Sequence, residues 1–231
     1  MTTEDRLKAQ ETARSLAYRM FADAFRLPSP GLPETLRKLA SALASLGSDA
    51  REEVFRMIDS GDTEPPFNEL QVEHTRLFMG PFLAPAPPFG SVYLEKARVL
   101  MGYSTQDALH HYRSMGIDLS PDFKEAPDHV SAELEFMHVL VLQEIRAIEE
   151  ADEAMLLDSI RRQRSFLTGH IGAWLPAFAE KVIEFTRINH YRRLALAART
   201  FIAEEIASLP DPAEVQASCG PDRDEPLRAA P

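Results

Sequence analysis

A single cysteine, Cys219, among 231 residues leaves no partner for an internal disulfide and no thiolate set for a zinc site. Positive charge is scarce as well. The 25 Lys and Arg stand against 36 Asp and Glu, a net charge of -11, whereas nucleic-acid binding needs cations in excess to neutralise phosphate. No apolar run approaches the ~18 residues of a membrane span. The opening residues MTTEDRLKAQE contain no apolar h-region, so no signal peptide is predicted and the expected compartment is the cytoplasm. The Arg-Arg pairs at 161–162 and 192–193 lie inside helical patterns and are not a twin-arginine signal of the chain's own.

The signatures of common chemistries are missing too. There is no HExxH, no G-x-S-x-G around Ser91, and no phosphate-cradling G-x-x-x-x-G-K-[ST]. His129 and Glu133 share i, i+4 spacing, as do Asp107 and His111, but neither pair has a third ligand in the sequence, and no metal is predicted. Asp128 and His129 are adjacent, so on a helix their side chains diverge and form no relay by themselves.

β-Branched residues are few: Val and Ile contribute 19 residues, Leu and Ala 56. That balance excludes a large sheet and predicts an all-α, single-domain bundle of about ten helices over 1–209. Helical periodicity runs from Glu4 to about Phe25, from Pro33 to Leu46, from Asp49 to Asp59, onward from Pro66, and from Ser91 to Met101. A cap by Ser104 or Thr105 opens the next helix, which ends near Gly116. Another follows Pro127. Two more spans cover 152–168 and 169–207, the last expected to divide because Pro176 starts or kinks a helix. Between them, GPFLAPAPPFGSVY (80–93) is a long Pro-rich connection that resists helix. Residues 210–231 lack periodicity and read as a flexible acidic tail.

Two segments have both bland and functional readings. Pro127-Asp128 at a helix entry makes Asp128 an N-cap, with His129 in the first turn. Leu77, Phe78, Phe82, Phe89 and Tyr93 are either core beneath a loop or the lining of a groove for an apolar peptide.

The segments EHTRLFMGPFLAPAPPFGSVYLE (73–95), MGYSTQDALHHYRSMGIDL (101–119), PDHVSAELEFM (127–137) and FLTGHIGAWLPAFAEKV (166–182) occur in a characteristic order. With them the chain resembles the TorD/DmsD/NarJ-type redox-enzyme maturation proteins. It departs from the pattern at His74, where members often carry an aromatic residue, and at Phe89-Gly90, which replace a commoner Tyr-Glu. The resemblance implies an all-helical chaperone with no enzymatic activity or cofactor of its own. Its partner would be a molybdopterin-containing oxidoreductase catalytic subunit, bound through the twin-arginine signal peptide or a comparable N-terminal segment until cofactor insertion is complete. Carried over by motif, the peptide-binding residues are Leu77, Phe78, Pro88, Phe89, Ser91, Tyr93, Asp128 and His129, with Glu133 and Met137 in support. Monomer and helix-swapped dimer both fit, with a hinge near Gly116–Pro127. Two other readings stay open: a small hydrolase or nucleotide-dependent enzyme using Asp128, His129 and Ser91, and a scaffold for the folded oxidoreductase.

Overall fold

The computed structural model describes residues 2–59, 66–80, 84–95, 101–120 and 123–210. Within them lie ten α-helices: α1 (Thr3–Ala24), α2 (Leu32–Leu46), α3 (Arg51–Asp59), α4 (Phe67–His74), α5 (Gly90–Leu94), α6 (Tyr103–Ser114), α7 (Val130–Glu150), α8 (Glu153–Gly169), α9 (Ile171–Phe185) and α10 (Asn189–Ser208). No β-strand occurs among the described residues. Phe82, the stretch 96–100 and the tail from 211 onward lie outside them.

Helix ends follow local chemistry. Thr2 and Asp5 form a reciprocal capping box at α1. Leu32 and Pro33 open α2, and Gly47, at φ 69°, closes it in the left-handed region. Helix α4 runs directly into a π-helical turn, Thr75–Met79, closed by a bond of 2.9 Å from the Gly80 N–H to the Thr75 carbonyl. This turn carries Leu77 and Phe78. The Leu77 carbonyl accepts from the Ala86 N–H at 3.0 Å, tying the Pro-rich connection to the turn.

Three expected boundaries differ. Helix α5 ends at Leu94 because Glu95 turns extended, and the Glu95 carboxylate then accepts from both the amide (3.0 Å) and the hydroxyl (2.8 Å) of Ser104. Glu95 therefore serves the N-terminus of α6, and neither Ser104 nor Thr105 is its N-cap. Pro176 lies inside α9 without dividing it. The break falls at Thr186–Ile188, where the Glu73 carboxylate accepts from the Arg187 N–H at 2.7 Å. Helix α7 begins one residue later than expected, with His129 and not Asp128 as its N-cap.

Helix α1 packs between α2 and α7; α8 covers α7, and α9 and α10 complete the bundle against α3 and α8. Tyr18, Phe21 and Phe201 form one aromatic centre, with ring centroids 4.9 and 5.2 Å apart, and Trp174, Phe178, Phe78 and Tyr191 form a second. One largely buried charged cluster lies beside the first, lining a cavity of about 540 Å³. Arg14 reaches Glu144 at 2.8 Å, Glu11 at 2.9 Å and Glu205 at 3.5 Å, and also donates to Gln163, while the Tyr18 hydroxyl donates to Glu205 at 2.9 Å. Burial, reinforced by Glu144 and Glu205, pushes the Glu11 carboxyl up to about 7 even beside Arg14. Removing the one cation leaves three facing carboxylates, the costly way to break a buried ion pair. Arg14→Met is expected to lose about 3–5 kcal/mol in urea unfolding at neutral pH. The deficit should shrink on acidification as those carboxylates take up protons.

Candidate functional site

Two motif segments far apart in the chain meet as a short antiparallel bridge between Phe89 and His129. The Gly90 N–H donates to the Asp128 carbonyl and the Val130 N–H to the Pro88 carbonyl, both at 2.9 Å. Each segment then enters a helix, so the N-termini of α5 and α7 lie side by side. Asp128 serves across this junction: its Oδ2 accepts from the Ser91 N–H at 2.7 Å, in the first turn of α5. His129 caps α7, its Nδ1 accepting from the Ser131 N–H at 3.1 Å. An accepting Nδ1 in a neutral ring leaves the proton on Nε2 as a donor. The Tyr112 hydroxyl fixes the turn from α6 by donating to the Pro127 carbonyl at 2.7 Å.

Gly90 is needed for close approach. A Cβ there would sit 2.9 Å from Trp174 Nε1, so the Phe89-Gly90 departure matches the indole beneath it. Tyr93 stacks on Trp174 with centroids 5.7 Å apart, and the Trp174 Nε1–H donates to Glu133 Oε2 at 2.8 Å. Glu133 is wholly buried and its carboxyl is raised, burial outweighing its contacts with His170 and Trp174. His129 and Glu133 thus turn to different partners and do not converge on a metal position.

The candidate residues separate by accessibility. Leu77, Phe78, Pro88, Ser91, Asp128, His129, Glu133 and Met137 are buried. Phe78 packs on His74, Phe178 and Tyr191, deep in the aromatic core. Phe89 and Tyr93 are half-exposed, and His129 sits between the rings of Phe89 (5.3 Å) and Phe123 (6.1 Å). Ser91 offers Asp128 its amide, and its hydroxyl makes no hydrogen bond among the described residues, so Ser91, Asp128 and His129 form no nucleophile relay there. Burial, with His74 and Arg26 adding to it, pushes the His129 imidazole down to about 3. The ring is therefore neutral at physiological pH.

Beyond His129 and Phe123 lies a groove of about 410 Å³ that sequence reasoning missed. Its apolar walls include Tyr112, Leu119, Phe123, Phe136 and Val139, and Asp118, Glu135 and Arg26 are also in its lining. Glu135 is held by Arg19 (2.6 Å) and Arg26 (2.5 Å), whereas Asp118, exposed, meets only Arg113, at 3.9 Å, among the described residues. A signal for this groove was present: Ala132, Glu135, Phe136 and Val139 follow i, i+3, i+4, i+7 along α7, a second stripe beside its core face.

Two substitutions distinguish the cap from the ring. His129→Ala should destabilise by about 1 kcal/mol, whereas His129→Asn, with a good capping side chain, should retain most stability. The unfolded ring titrates near 6.5 and the folded ring near 3, so its neutral form contributes stability in full above pH 6.5 and loses it as pH falls toward 3. Melting temperature followed across that window should therefore fall less steeply in His129→Asn than in wild type. His190, buried with neither ring nitrogen hydrogen-bonded among the described residues and pushed down to about 4 by burial, contributes a loss of the same sign in both proteins.

The profile described as nitrate reductase delta subunit matches residues 28–180. Across 94% of this chain and all of the relative, the sequence is 26% identical to the chaperone protein TorD of Psychrobacter sp. (strain PRwf-1). It is 31% identical over 143 residues to the Tat proofreading chaperone DmsD of Salmonella typhi, covering 61% of this chain and 62% of that protein. A crystal structure from Archaeoglobus fulgidus, described as a candidate redox enzyme maturation protein, superposes with a TM-score of 0.53. It covers 82% of this chain and 93% of that one at 22% identity, a likeness of fold alone. The profile spans well over half of the sequence, with ten helices in place and the Pro-Pro and Asp-His segments joined: the chain belongs to the nitrate reductase delta subunit family, the group of TorD/DmsD-type redox-enzyme chaperones.

Proposed function

We propose that this protein is a cytoplasmic, non-catalytic chaperone that binds an N-terminal segment of a molybdopterin oxidoreductase subunit, its twin-arginine signal peptide, during assembly. The observation that carries the reading is the apolar groove beside the Phe89–His129 bridge, with the exposed Asp118 carboxylate in its lining. A signal peptide combines a basic head with an apolar run of about 7–15 residues. The groove suits the apolar run, with Tyr112, Phe123, Phe136 and Val139 as walls. Asp118 suits the basic head, because Glu135 is already engaged by two arginines. The net charge of -11 assists encounter more than final affinity. The buried members of the motif, among them Leu77, Phe78, Asp128, Glu133 and Met137, act by holding the bridge and α7 in position.

Calorimetry with a synthetic peptide of paired arginines followed by about ten apolar residues tests this. Wild type should bind with one site. Val139→Asp, on the half-exposed wall of α7, and Phe123→Ala should each weaken binding at least tenfold, about 1.4 kcal/mol, with unchanged circular dichroism. Equal binding by wild type and both variants would remove the groove from the proposal. No peptide binding, combined with capture of an oxidoreductase subunit lacking its signal, would favour a scaffold for the folded enzyme.

A further inference from the structure

On the far side of Glu133 from the bridge, α6 meets the α8–α9 junction through side chains that peptide binding does not use. Asp107 and His111, one turn apart on α6, face His170, the residue between α8 and α9. One donor atom from each lies within 4.8 Å of the other two. Sequence spacing alone had set the Asp107–His111 pair aside for want of a third ligand. The fold supplies it from 59 positions further along the chain, His170 against His111.

We infer that Asp107, His111 and His170 form a binding site for one divalent transition-metal ion, with Zn²⁺ as the reference ligand and one coordination position open to solvent. Four observations bear on this. The donor set of two imidazoles and a carboxylate is one that Zn²⁺ takes with three protein ligands and an open fourth position. Asp107 Oδ2 and His170 Nε2 are 3.1 Å apart, close to the edge of about 3.3 Å between two ligands of a tetrahedral ion with bonds of about 2.0 Å. His111 has no hydrogen bond among the described residues to compete for its nitrogens, and its ring is set by Phe166 and His170 at 5.3 and 5.2 Å. Most telling is the opposite edge of His170. Its Nδ1 lies 3.7 Å from Glu133 Oε1, both atoms buried and neither with a conventional hydrogen-bond partner among the described residues. A buried carboxylate behind one ring nitrogen with the other nitrogen turned toward further ligands is the arrangement that fixes tautomer and basicity in metal-ligating histidines.

Access is available too. Asp107 and His111 are half-exposed while His170 is buried, so an ion enters from the α6 face and meets the anchored imidazole last. Bound there, it would fasten α6 to the α8–α9 junction. The inference is independent of peptide binding, since none of the three ligands lines the groove.

Full-length protein without an affinity tag, stripped with chelator and titrated with Co²⁺, is the direct test. One equivalent should bring up visible d–d absorption of a four- or five-coordinate ion, and Zn²⁺ should displace it. Asp107→Asn and His111→Ala should each weaken affinity at least tenfold, and Glu133→Gln, behind the ligand, should weaken it while leaving one site. His110→Ala, exposed and outside the cluster, should bind as wild type does. His111→Ala removes a half-exposed side chain, so its apo melting temperature should match wild type, separating lost ligation from lost folding. Absence of stoichiometric binding, or binding indifferent to both Asp107→Asn and His111→Ala, would overturn the site and leave His170 as an ion-pair bridge between Glu133 and Asp107.

Discussion

The Asp128 carboxylate, accepting from the Ser91 amide 37 positions away, is the contact on which the motif region depends. Helix α5 has only five residues and could not persist alone, because nucleating a helix costs more than so few bonds return. It exists because the Phe89–His129 bridge aligns it and a buried carboxylate satisfies its first turn. That single anion also lies near the positive ends of two helices, so dipole and hydrogen bond favour the same place. The Pro-rich connection gains order in this way without regular structure of its own. Its prolines disfavour helix, and among its described residues the Gly90 and Ser91 amides go to Asp128 and the Ala86 amide to the Leu77 carbonyl.

Carboxylates are the recurring instrument of this acidic chain. Glu95 closes the start of α6, Glu73 the start of α10, Glu133 holds the one tryptophan, and Glu205, Glu144 and Glu11 surround Arg14. All but Glu11, one turn from Arg14 on α1, join separate elements, and each is costly if left unmatched in the interior. The excess negative charge of the composition is therefore only partly a surface property. Part of it is internal, matched to backbone amides and to a handful of cations.

The sequence was legible where the governing force was local. Helix periodicity, Pro33 and Gly47 placed most elements within a residue or two, and the scarcity of β-branched residues gave the class. The caps were harder to read. Asp128 looked like the cap of its own helix because Asp is a good capping residue, yet tertiary pairing gave its carboxylate to α5 and left the capping of α7 to His129. Ser104 lost the same contest to Glu95. Leu77 and Phe78 had two readings, core or groove, and the core took them, since only depth in the bundle supplies their aromatic neighbours. The groove between α6 and α7 was encoded in a second stripe on α7, hidden because that helix is apolar over most of its circumference. His170 could not be joined to Asp107 and His111 by spacing, which carries no information about helices that meet only in the folded bundle.

The π turn at Thr75–Met79 also fixes the length of the chain. An i+5 turn contains one residue more than an α turn, so the segment is equivalent to a single insertion absorbed without breaking the helix. Deleting one residue there would restore an α ladder and turn Leu77 and Phe78 by roughly 100° about the helix axis, carrying the Leu77 carbonyl away from Ala86. The Ala86 amide would lose its acceptor, and Phe89 would no longer reach the register at which it pairs with His129. Insertions and deletions in this region are therefore constrained to near zero, although the residues that follow look like an ordinary variable loop.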